Sequence, residues 1–85
     1  MNTNQTTENT VTPASRKLLA QYKETVAYYR DMADSESRLE ARYRALHGCQ
    51  HVADRHRDKV DHALEMAGLF SRQAARLEAE TGERA

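Results

Sequence analysis

Residues 39–60 read LEARYRALHGCQHVADRHRDKV, and the glycine near their centre decides the fold. Back from Gly48 as far as Pro13 there is no other Gly or Pro, and forward from it the next glycine is Gly68. Strands and their turns need denser punctuation than this. Both flanks are built from Ala, Leu, Glu, Arg, Gln and Lys, which are good helix formers. A glycine directly after a periodic segment is a helix-ending signal. The chain is therefore expected to be all-α, an antiparallel helical hairpin of two long helices: helix 13–47, turn 48–50 and helix 51–81.

Working toward the N-terminus, Asp34-Ser35-Glu36-Ser37 is the one weak patch, because Asp and Ser compete for backbone hydrogen bonds. Heptad phase argues against a turn there. With Tyr22 at a, the a series is Ser15, Tyr22, Tyr29, Glu36, Tyr43, and the d series is Leu18, Thr25, Met32, Leu39, Leu46. One register crosses the patch unbroken, so a single helix is expected. Thr12 suits its N-cap and Pro13 its first turn. Residues 1–12 hold almost nothing apolar and read as a disordered tail.

Working toward the C-terminus, the second helix has a series Ala53, Val60, Ala67, Ala74 and d series His56, Ala63, Phe70, Leu77. Rings on the first helix then face alanines on the second, as interdigitating layers require. Tyr29 is placed near Ala67 and Phe70, and Tyr22 near Ala74. Glu36 is an awkward carboxylate in a seam. It pairs with Lys59 or His62 and fixes alignment, or the seam is open to water there.

The apolar stripe is wider than one facing helix can cover. Leu19, Val26 and Ala33 flank it on the first helix, and Leu64, Met66 and Leu69 on the second. Dimerisation into a four-helix bundle is the expected remedy for so small a core. The core and self-assembly residues are Tyr22, Val26, Tyr29, Leu39, Tyr43, Leu64, Phe70 and Leu77.

The 85 residues carry 13 basic and 13 acidic side chains, a balance that argues against a generic polyanion binder. The single cysteine excludes an internal disulfide. No apolar run is long enough for a membrane span, and no signal peptide is evident, so a cytoplasmic protein is expected.

Catalytic motifs are missing: no phosphate loop, no GxSxG, no HExxH, no CxxC. The chain is read as no enzyme, with no cofactor. His47, Cys49, His51 and His56 cluster near the turn and are zinc-capable ligand types. Their spacing fits no standard module, and a solvated polar turn is the plainer account.

Two function classes follow. The first is a protein–protein interaction module: an adaptor, an assembly subunit, or an inhibitor that masks a partner's surface, as small phage- or plasmid-borne accessory proteins do. Its partners are itself, as a homodimer, and an unidentified protein. Tyr28, Arg38, Arg42 and Arg55 are the partner-binding candidates, since Tyr and Arg are enriched where proteins dock. The second class is a nucleic-acid binder that uses the basic patch near the turn, where Arg44, Arg57 and Lys59 join those arginines. Glu40, Asp54, Asp58 and Asp61 are interleaved there and weaken that patch.

Overall fold

The structure is a computed structural model and describes residues 12–81. Helix α1 spans Pro13–Arg44 and helix α2 spans Gln50–Thr81. At 32 residues each, both are rods of about 48 Å. They pack antiparallel as a hairpin. The expected disorder of the tail falls on residues that, Thr12 apart, lie outside those described.

Local chemistry sets the start of α1. The Thr12 hydroxyl accepts from the Ser15 backbone N–H at 3.0 Å, and Pro13 follows it. One of the four orphan donors of the helix start is thereby satisfied. The helix then runs unbroken through Asp34-Ser35-Glu36-Ser37.

The end of α1 differs from the sequence reading. It closes at Arg44, not at His47, with Ala45 as C-cap. The Leu46 N–H bonds the Tyr43 carbonyl at 3.1 Å and the Cys49 N–H bonds the Leu46 carbonyl at 3.3 Å. Gly48 adopts φ 82°, the left-handed region that L side chains avoid. The Gln50 side-chain amide donates to the Arg44 carbonyl at 3.2 Å. Reversal thus takes residues 45–49 instead of 48–50. The reason lies in the last turn of α1: the Tyr43 carbonyl is taken by the N–H three residues on, at Leu46, and the Leu46 carbonyl by Cys49, so the chain tightens into successive turns and leaves the α-helix before His47.

Helix α2 buries Ala53, Val60, Ala63, Ala67, Ala74 and Thr81, with His56, Phe70 and Leu77 half-buried between them. Its a and d series therefore face α1. Helix α1 is different. Its buried line is Leu19, Val26 and Ala33. The d series moves outward: Leu18 is 39% exposed where adjacent Leu19 is 5% exposed. The seam of α1 is rotated by one heptad position, about 50°, from the register read in the sequence. The cause is bulk. Alanines on α2 allow close approach only if α1 presents its slimmer line, so Tyr22, Tyr29 and Tyr43 lie half-buried alongside.

Ring contacts fill the flanks of this seam. Tyr29 stacks on Phe70 with centroids 6.3 Å apart, and Tyr22 meets the same ring at 6.1 Å. At the tighter end Ala33, Val60 and Ala63 form a small buried cluster, against which Tyr29 and Met32 pack. No helix among the described residues is long and apolar enough to cross a membrane.

Candidate functional site: two unlike sides of the hairpin

Rotating α1 has a consequence for charge. Side chains three and four apart share a helix face, so each helix offers one stripe on either side of the seam. In an antiparallel pair the residues just after the α1 seam face those just after the α2 seam.

One side gathers ion pairs. Arg44 bonds Glu40 and Asp54, each at 2.8 Å. Arg57 reaches Asp61 at 3.3 Å and Glu40 at 3.7 Å. Lys23 bridges to Glu78 at 3.1 Å near the open end. The hydrogen bond to Glu40, and after it the one to Asp54, raises the Arg44 guanidinium above its ordinary pKa. Beside the Lys23 bridge lies an open groove of about 540 Å³, floored by Val26, Ala27, Ala74 and Ala75. Leu64 stands on this side, 52% exposed.

The other side is its opposite. Stepping alternately by three and four from residue 18 to 42 on α1, and from 52 to 76 on α2, meets no Asp or Glu, and the next step on α2 reaches Glu80 near the open end. Leu18, Tyr28 and Leu69 on it are exposed, and Met32, Leu39 and Met66 are half-buried. Arg42, Arg55 and Lys59 join them toward the turn, and among the described residues none of the three takes part in an ion pair. A shallow hollow of about 260 Å³ opens here between Ser35, Arg38, Leu39 and Arg42. Tyr28 is 60% exposed and sits edge-on to Tyr29, centroids 5.1 Å apart.

The four partner-binding candidates are thus brought together on or beside one side. The acids interleaved with them in the chain are not. Glu40, Asp54 and Asp61 serve the arginines of the paired side. Sequence reasoning named Lys59, Met66 and Leu69 but did not bring them onto one side with the partner-binding candidates. The signal was present as a run of three-and-four steps without a carboxylate.

Between the sides, in the seam, Glu36 bonds His56 Nδ1 at 2.5 Å. The imidazole also stacks on Tyr43, centroids 5.4 Å apart and planes within 10°. The partners foreseen for Glu36, Lys59 and His62, are both exposed on the outer surface of α2. His56 is the half-buried residue one turn nearer the tip, which a flexible glutamate reaches. This pairing takes His56 out of the tip cluster. Among the described residues no three His, Cys, Asp or Glu side chains gather so as to hold a metal ion. His47 and His51 are exposed, and Cys49 is a half-buried free thiol in the turn.

Comparison with protein-family models, with curated proteins and with solved structures found no match. The class of the molecule is therefore carried by its own geometry: a two-helix hairpin with one charge-paired side and one open side.

Proposed function

We propose that this protein is a small non-enzymatic interaction module, acting in the cytoplasm as an adaptor, assembly subunit or masking inhibitor. One observation carries the reading: the hairpin's own core is too thin for its apolar content. Among the described residues, the buried apolar side chains larger than alanine are only Leu19, Val26 and Val60, and no large side chain is fully buried. Meanwhile Leu18, Tyr28, Leu46, Leu64 and Leu69 are exposed. A core of this size supplies only a few kcal/mol, roughly 3–5, and cover for exposed apolar surface adds to it.

A second copy covers the paired side. That side mixes both signs, so it is self-complementary about a two-fold axis. Ala27 and Ala75 keep it low, and Leu64 of one hairpin fits the groove of the other. The product is a four-helix bundle with coiled-coil packing. Multi-angle light scattering across a dilution series tests this. The reading expects twice the 9.7 kDa chain mass, falling toward the monomer for Leu64→Glu. A monomer at every concentration removes the dimer from the proposal.

The second reading, nucleic-acid binding, draws on the unpaired Arg42, Arg55 and Lys59. Neutral overall charge and an apolar centre to the same side count against it. Duplex or single-stranded RNA bound at low salt and lost steeply as salt rises would favour it over the first.

A further inference from the structure

We infer that the open side is a docking groove for an acidic amphipathic helix of a foreign protein. This rests on the interaction-module reading and names the chemistry of the partner. The side has two parts. Its middle, from Tyr28 and Met32 across to Met66 and Leu69, is apolar and lies near mid-length of both helices. Toward the turn come Arg42, Arg55 and Lys59, cations that pair with no carboxylate among the described residues.

Helix-in-groove recognition uses this layout: an apolar stripe for anchors at three-and-four spacing, and flanking charge that selects the partner. Charge complementarity decides the occupant. A second copy would offer these cations a single carboxylate, Glu80, one step beyond Arg76 on the same stripe. About a perpendicular two-fold, Arg76 would arrive with it against Arg42 and Arg55 and offset it, whereas an acidic helix brings a row of carboxylates. A nucleic acid would use the cations but leave Tyr28, Met66 and Leu69 without purpose, since phosphate tracking needs no continuous aliphatic centre. A helix with leucines on one face and glutamates beside them uses both. The hollow between Ser35, Arg38, Leu39 and Arg42 receives one of its carboxylates, where an arginine fork can hold it.

The test uses the full chain and two synthetic helices, each with Leu at a and d, carrying Glu or Lys at e and g. Like charges at e and g keep each peptide from pairing with itself. Fluorescence anisotropy should show the Glu peptide bound at least about tenfold more tightly than the Lys peptide. The Arg42→Glu, Arg55→Glu, Lys59→Glu protein should invert that preference while keeping its helical circular dichroism, because among the described residues none of the three takes part in a hydrogen bond or ion pair. Equal affinity for the two peptides overturns the inference and leaves a module with a partner chosen by shape. No binding of either peptide also overturns it, and light scattering then judges the module reading separately. RNA that displaces the Glu peptide, with affinity collapsing in salt, overturns both.

Discussion

The two sides of this hairpin are made from the same two helices and both carry arginines, yet among the described residues the arginines of only one side find carboxylates. On the paired side Glu40 alone serves two arginines, Arg44 and Arg57. On the open side Arg42 and Arg55, two positions away along each helix, serve none. The difference is angular. A shift of two residues turns a side chain by about 200° on a helix, enough to cross from one side of the seam to the other. Charge counted along the chain is balanced, and charge counted around the seam is not. Surface ion pairs contribute little stability, so what the segregation leaves is a surface ready for an opposite charge.

The largest expected effect tests where the seam runs, since that sets the two sides. Leu19→Ala should cost about 2–3 kcal/mol in urea or thermal unfolding, whereas Leu18→Ala, one residue away, should cost below about 1 kcal/mol. Equal costs would return the seam to the register read in the sequence and dissolve the distinction. Next comes the turn, which sets which stripes share a side. A Cβ at Gly48 meets no atom within 4 Å, so Gly48→Ala reports backbone strain alone. A loss of about 1–2 kcal/mol is expected, and a neutral result would mean the turn is otherwise.

A smaller effect is expected in the seam between the sides. Glu36→Leu or His56→Leu alone should destabilise by about 1 kcal/mol, and the double substitution should recover most of it. Additive losses would show that the pair does not interact. Smallest is the contrast in charge itself. Lys23→Gln should lose under about 1 kcal/mol with its bridge to Glu78, and Arg55→Gln should lose nothing measurable in melting. A loss at Arg55 would reveal a contact on the open side.

The sequence was unequally legible. On α2 the line read from spacing, Ala53, Val60, Ala67 and Ala74 with Ala63 beside them, is the line that is buried. On α1 the apolar stripe offers doublets, Leu18-Leu19, Thr25-Val26 and Met32-Ala33, and spacing alone does not choose between members. The choice depends on what α2 presents, which is a tertiary fact. The same one-position shift hid the site. The arginines near the turn were visible, but interleaved acids masked them until the seam assigned each to a side. Glu36 was legible as an anomaly and its partner was not, because a long side chain reaches a turn away from its own level.

The hairpin that brings the two acid-free stripes together is most directly tested by one distance. Spin labels at Thr25 and Gln73, with Cys49→Ser and excess unlabelled chain to silence pairs between copies, are read by double electron–electron resonance. Helices 8–10 Å apart place the labels within about 25 Å of each other. One continuous rod would put them roughly 70 Å apart, and that result would contradict the account.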